Sequence, residues 1–353
     1  MKKHISFPSI EQFRTLIANV NRQYNFVGLD DNGEAIYDHT LPKPCLKLIG
    51  TVKLHGSNGS FVFNDEEGLW VQSRTNIITP QSDNAGCAFY IESHKEAFMG
   101  IINEIKEKYK IDTSIYTICV YFEWCGKGIQ KGVGITNLEK SVFIFGIKIA
   151  KLGDEEFKNY WVDSAGFRNT ENRIYNIEDY KTYTIDIDFN TPQLSQNKII
   201  EMTLEVEACC PVSKAFGYDN TIGEGIVFSL LTPDGKKLMM KSKGEKHSKS
   251  SKVTTLKPVD DEKINNIIEV ANKVTTGSRL QQMFDLQFDT INGGQIDVKK
   301  LGDFIRLVIN DVLKEELDVI SEAGLEPKDI NKYLSQIAKD YFFTKQNESV
   351  GLN

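Results

Sequence analysis

Six polar residues stand at the ends of otherwise apolar, strand-like segments: Lys53, Arg74, Glu123, Glu224, Lys241 and Lys243. The run 45–53 is rich in apolar residues and reads as a strand that delivers Lys53 to a turn, His55-Gly56-Ser57-Asn58-Gly59, with a second strand leaving at 60–63. Glycines in such a turn let the backbone approach a ligand closely. A lysine beside it is a nucleophile only when neutral, and an ordinary pKa of ~10.4 leaves few neutral molecules at pH 7. Desolvation and nearby cations lower that value. Lys241 and Lys243, on a later strand, are such cations, and they would also balance charge on a phosphate. Each residue has a bland reading when taken singly: a solvated lysine, a satisfied strand-end acid, an exposed arginine, a charge run entering a linker. A lone histidine such as His55 is usually structural. Their order along the chain is what gives them weight.

Those residues need elements to carry them. Ser9-Ile10-Glu11-Gln12 has capping-box form, and helical spacing follows, so a helix is expected over 9–23. A hairpin is expected over 26–37 around Asp30-Asp31-Asn32-Gly33. Strands are expected over 69–76, 115–123 and 141–150, with one long helix over 85–109 and another over 195–209. The runs 223–229 and 237–241 flank Thr232-Pro233-Asp234-Gly235 and read as a hairpin. The glycine-rich loop 126–134 lacks a Gly-Lys-Ser/Thr ending and the Gly-x-Gly-x-x-Gly spacing, which excludes the usual phosphate-loop readings. Lysines at 241, 243, 246, 249, 252 and 257 face one acid, Glu245, and suggest a mobile basic linker. Beyond Pro258 the periodicity is helical. The fold class is therefore α+β, with antiparallel sheets flanked by helices over 1–245, a linker over 246–257 and a small all-helical domain over 258–353.

Composition narrows the class of protein. Across 353 residues, 40% hydrophobic and 26% charged content is that of a soluble globular chain. No apolar run approaches the ~20 residues of a membrane span, and no secretory signal is visible. Six cysteines without a Cys-x-x-Cys pair fit reduced thiols in a cytoplasm. With a net charge of −7, nucleic-acid binding would need a local basic patch.

In order and spacing the motifs resemble the covalent nucleotidyltransferase superfamily of ligases and capping enzymes, and within it the phage RNA ligase 2 type. Lys53-Leu54-His55-Gly56-Ser57-Asn58 is similar to its nucleophile motif. Ser73-Arg74-Thr75, Phe122-Glu123-Trp124-Cys125-Gly126, Phe143-Ile144-Phe145-Gly146, Glu224-Gly225-Ile226-Val227 and Lys241-Ser242-Lys243 resemble the five that follow. The resemblance spans about residues 50–245; the helical remainder matches in type and position only. It implies a nucleotidyltransferase domain in which Lys53 attacks the α-phosphorus of ATP, forms lysyl-AMP and releases pyrophosphate. AMP then passes to the 5′-phosphate of a nicked strand, and the 3′-OH displaces it. By the same resemblance Glu123 binds the ribose hydroxyls, and Glu224 is the acid that ligates Mg2+, or Mn2+ in its place, in metal-dependent catalysis. Arg74 contacts ribose or phosphate, Asn58 the sugar or RNA end, and Phe145 or Phe143 stacks on adenine. His55 would hold Lys53. The implied partner is RNA, as a nicked duplex or in an RNA–DNA hybrid, and a monomer of phage-like origin is the default expectation.

Two positions depart from the pattern. Val52 stands where an acid that helps read adenine is common, and Ser229 where close relatives carry a phosphate-binding lysine. A DNA ligase or capping enzyme is the competing enzymatic reading, but those carry a β-rich barrel where this chain turns helical. A non-catalytic nucleic-acid-binding protein of the same fold is the third; the intact lysine, glutamate and arginine positions argue against it.

Overall fold

The computed structural model describes residues 2–29, 33–38, 41–154, 157–248, 256–288 and 295–349. Among them the strands are β1 (Phe26–Leu29), β2 (Ala35–Tyr37), β3 (Cys45–Lys53), β4 (Ser57–Asn64), β5 (Gly68–Ser73), β6 (Ile77–Ile78), β7 (Thr117–Cys125), β8 (Ser141–Ala150), β9 (Tyr160–Val162), β10 (Ile174–Asn176), β11 (Thr182–Asp188), β12 (Gly225–Leu231) and β13 (Lys237–Lys243). The chain divides into two compact units. The first holds Met1–Leu16, Leu46–Ile187 and Ser195–Lys257; the second holds Ile17–Cys45, Asp188–Leu194 and Pro258–Asn353.

The first unit is built on two sheets. The larger runs β10-β8-β7-β4-β5-β6 with β9 on β8, and the smaller runs β11-β3-β12-β13. The pairings whose direction is defined are antiparallel except β10 with β8. Alternation along β4 sends Phe61 to one face and Val62 to the other. Phe61 packs with Phe122 and with Phe98, Ile101, Ile102 and Ile105, which recur at helical spacing along the helix Lys95–Tyr109. Val62 joins Trp70, Tyr121 and the N-terminal Ile5 and Phe7 on the opposite face. The helix Gln196–Ala208 meets the smaller sheet, where the Thr203 and Ser242 hydroxyls lie 2.8 Å apart.

Two expected helices are corrected. Over 9–23 the helix begins only at Phe13, because Glu11 pairs in parallel with Met240 at the edge of β13. Its N–H donates to the Met239 carbonyl at 3.3 Å and its carbonyl accepts from the Lys241 N–H at 2.9 Å. An open sheet edge with unpaired groups captures the segment that capping chemistry had assigned to a helix. Over 85–109 there are two helices, Cys87–Ser93 and Lys95–Tyr109, broken at His94. The Asp83 carboxylate anchors the first, accepting from the Ala88 and Phe89 N–H groups at 2.7 and 2.9 Å.

In the second unit β1 and β2 pair antiparallel, Phe26 opposite Tyr37, as expected of a hairpin; Asp30, Asp31 and Asn32 lie outside the described residues. Helices Asp261–Val274, Gly277–Phe288, Leu301–Glu315, Leu317–Glu322 and Pro327–Ser349 enclose Phe284, Phe304, Leu334 and Phe342. Asp260 caps the first of them, accepting from the Lys263 N–H at 2.8 Å. The architecture is thus α+β with a helical C-terminal region. Of the expected linker, residues 249–255 lie outside the described residues. All six cysteines are free thiols, and no described helix is long and apolar enough to cross a membrane.

Candidate functional site

β3 ends at Lys53 and β4 begins at Ser57, so three residues carry the chain from one sheet to the other. The last of the three fits only as a glycine. A Cβ on Gly56 would lie 2.3 Å from the Trp124 carbonyl oxygen and 2.7 Å from the Cys125 sulfur. The Gly56 N–H donates to Glu123 Oε1 at 2.9 Å, and its carbonyl accepts from Gln130 Nε2 at 3.2 Å. The glycine-rich loop therefore serves to clamp the turn. Gly56→Ala is expected to lower stability by on the order of 1–3 kcal/mol through overpacking, read as a lower urea midpoint with unchanged m.

The registers of the smaller sheet align the cations. Gly225 on β12 lies opposite Lys53 on one side and Lys243 on the other, and Val227 lies between Thr51 and Lys241. Side chains two residues apart share a face, so Lys53, Lys241 and Lys243 point the same way. Glu224, immediately before β12, is placed between them. Its Oε2 is 2.7 Å from Lys53 Nζ and 3.5 Å from His55 Nδ1, and its Oε1 is 2.7 Å from Lys243 Nζ. Burial pushes the Glu224 carboxyl up, but His55, Lys53 and Lys243 together outweigh it and hold the group well below the usual carboxylate range. Burial, with Lys243 and Lys53 alongside, lowers the Lys241 pKa.

The larger sheet supplies the facing wall. Asn58 on β4, Glu123 on β7 and Phe143 on β8 form one cross-strand row. Between them and the cations lies a cavity of about 310 Å³ lined by Lys53, Asn58, Arg74, Glu123, Phe145, Lys241 and Lys243. Eight of the ten residues named from sequence, Phe143 among them, thus line one space. Of the other two, Glu224 pairs with Lys53 and Lys243, and His55 lies against Glu224. Arg74 is exposed, with its guanidinium 5.8 Å from the Phe7 ring and 3.5 Å from the Pro8 carbonyl. Phe143 is fully buried against Tyr175, Tyr180 and Phe216, whereas Phe145 is only partly buried. A bulge in β8 opposite Tyr121 and Phe122 leaves Phe145 without a partner on β7.

Strand alternation turns Val52 to the face opposite Lys53, where its side chain is 3% exposed. Val52 is nonetheless among the residues that line the cavity. Sequence reasoning missed Phe7, Ile10, Met239 and Lys237, which also line the cavity. Phe7 and Ile10 carry no chemical signature and reach it because the N-terminal segment crosses the larger sheet, Ile5 exchanging hydrogen bonds with the buried Gln72 side chain.

Burial pushes the Glu123 carboxyl up to about 7, against the pull of Lys53 and the Gly56 N–H. A carboxyl raised on folding keeps its proton longer in the native state, so its contribution falls as pH rises from about 4.5 to about 7. Glu123→Gln keeps the acceptor for Gly56 and removes the charge. It is expected to raise the thermal midpoint relative to wild type at pH 8 and to leave it little changed at pH 5.

A family model described as RNA ligase matches residues 46–243, from β3 to the last residue of β13. The chain belongs to the RNA ligase family. The matched span contains every residue of the lysine–glutamate cluster and the row that faces it. No curated protein matches the sequence. Among solved structures, Naegleria gruberi RNA ligase with PPi is similar at 16% identity and a TM-score of 0.41, covering 70% of this chain and 58% of that one. An alanine mutant of the same ligase with ATP and Mn gives 15% identity and a TM-score of 0.42 over the same shares. This chain therefore spans less than two thirds of those ligase chains.

Proposed function

We propose that this RNA ligase family member is an ATP-dependent enzyme of the phage RNA ligase 2 type, sealing 3′-OH and 5′-phosphate ends at nicks in duplex RNA. The observation that carries the reading is the convergence of Lys53, Glu123, Phe145, Lys241 and Lys243 on one cavity, with Glu224 tying the two lysines nearest Gly225. In this reading Phe145 stacks on adenine, since Phe143 is already enclosed by other rings. Glu123 accepts from the ribose hydroxyls, which a deprotonated carboxylate does with both oxygens. Lys241 and Lys243 neutralise the α-phosphate, and Arg74 places a phosphate through its planar donors. Lys53 leaves Glu224, gives one proton to water before it attacks the α-phosphorus and a second as the N–P bond forms, while the bond from that phosphorus to the pyrophosphate oxygen breaks. AMP then moves to the RNA 5′-phosphate, and the 3′-OH displaces it. Residues 258–353 form the module that positions the nick, and the enzyme works as a monomer.

Mg2+ would be held chiefly by the nucleotide. No group of three or more His, Cys, Asp or Glu side chains able to hold an ion exists among the described residues, and both Glu224 oxygens are engaged by lysines. Such a donor set suits an ion that keeps its waters and binds through substrate phosphates. When bound it supplies charge neutralisation on the leaving pyrophosphate. That the Naegleria gruberi ligase structures hold ATP and Mn supports the choice of cofactors.

The test offers nicked duplexes with RNA or DNA on each side of the break, with ATP and Mg2+. Sealing that requires an RNA 3′-OH strand is expected. A preference for a DNA 3′-OH strand would favour the DNA ligase reading.

A further inference from the structure

Thr51, Asn58, Ser229 and Lys237 are the polar residues lining the cavity to which the proposed function gives no role, and Lys237 alone of them is charged. It lies on the same face of β13 as Met239, Lys241 and Lys243, four residues and so ~13 Å along the strand from Lys241. That places it at the far end of the cavity from Lys53. Its Nζ donates to the Phe145 carbonyl at 3.1 Å and sits 5.6 Å from the centroid of the Trp161 ring. Burial lowers its pKa, against the pull of Glu178 and Asp163.

An ammonium has three donors and no acceptor. One donor goes to Phe145, the residue left unpaired by the β8 bulge. Phe145 and Lys237 line the same cavity, so a base stacked on the Phe145 ring would share that space with the ammonium.

We propose that Lys237 is a specificity-determining residue, donating a hydrogen bond to a ring-nitrogen acceptor on the edge of the bound purine. The assignment rests on the adenylylation reading above. Phe7, Phe145 and Met239 line the same cavity, and apolar surroundings strengthen a charge-assisted bond. The purely structural alternative is that Lys237 only satisfies the Phe145 carbonyl and packs on Trp161.

The experiment uses the full chain, ATP, and three ATP analogues in which N1, N3 or N7 is replaced by C–H. The readout is the ratio of kcat/KM for lysyl-nucleotide formation with ATP to that with each analogue. Wild type is expected to discriminate against one analogue by about ten- to a hundredfold. Lys237→Met is expected to bring that ratio to within about threefold of one, and Lys237→Arg, which keeps donors, to retain part of it. The analogue series on wild type needs no variant to fold: equal rates with all four nucleotides overturn the assignment. So does a Lys237→Met protein that is slower overall but keeps the wild-type ratio, the mark of a structural role. In both cases adduct formation from ATP stands and the parent reading survives. No adduct from any nucleotide with wild type overturns the parent reading and this assignment with it.

Discussion

Lys53→Ala is expected to lose lysyl-AMP formation and sealing with ATP entirely, a fall on the order of 10⁴-fold or more, as when a covalent nucleophile is removed. Sealing of an RNA strand that already carries 5′-AMP is expected to persist within about tenfold of wild type. In the proposed reaction the last step would join a 3′-OH to an activated phosphate and ask nothing of the Lys53 amine. Lys53→Arg is expected to match the alanine variant with ATP, since a guanidinium keeps its proton and has no lone pair to offer. Gel assays with 5′-phosphate and 5′-adenylylated strands side by side separate the steps. A Lys53→Ala protein that seals 5′-phosphate ends with ATP at wild-type rates would remove the lysine from the chemistry.

The second large effect is expected at Glu224, whose side chain is 2% exposed between Lys53 and Lys243. Glu224→Ala leaves two ammoniums facing each other without their shared acceptor. Removing one partner of a buried ion pair costs about 3–5 kcal/mol; the lower end applies here because the lysines keep contact with water. Adduct formation should fall about a hundredfold or more, because Lys53 and Lys243 lose their common anchor. Glu224→Gln, which keeps a hydrogen-bond acceptor, is expected to be intermediate in stability. The pH dependence follows from the depressed carboxyl. A group whose folded pKa lies below its unfolded value of 4.5 gives stability that is fully present above 4.5 and is lost as pH falls toward the folded value. Wild type should therefore lose part of its margin over Glu224→Ala as the pH drops below 4.5. A constant difference from pH 7 to pH 3 would contradict the ion-pair geometry.

Lys53, Lys241 and Lys243 were legible in the sequence because a strand has period two and each ends an apolar run. The registers through Gly225 then had one way to bring them together. Glu123 and Asn58 were legible for the same reason on the other sheet. The N-terminal wall was not. Ser9 to Gln12 satisfies a helix-capping pattern, and local pattern carries no information about the sheet edge at β13 that takes Glu11 instead. Nor does spacing reveal a bulge: residues 143 and 145 share a face in a regular strand, and only the unpaired Phe145 in β8 separates their surroundings. Lys237 was hidden by its neighbours, one more lysine after a Pro-Asp-Gly turn in a chain with many. The break at His94 falls within an uninterrupted helical pattern and depends on tertiary packing.

The most direct measurement incubates the full chain with α-labelled ATP or GTP and Mg2+, denatures it, and maps any label by peptide mass. An acid-labile nucleotide monophosphate on Lys53, formed from ATP and absent from Lys53→Ala, is the expected result. Folded wild-type protein that forms no adduct with either nucleotide, or carries it on another residue, would contradict covalent nucleotidyl transfer through Lys53.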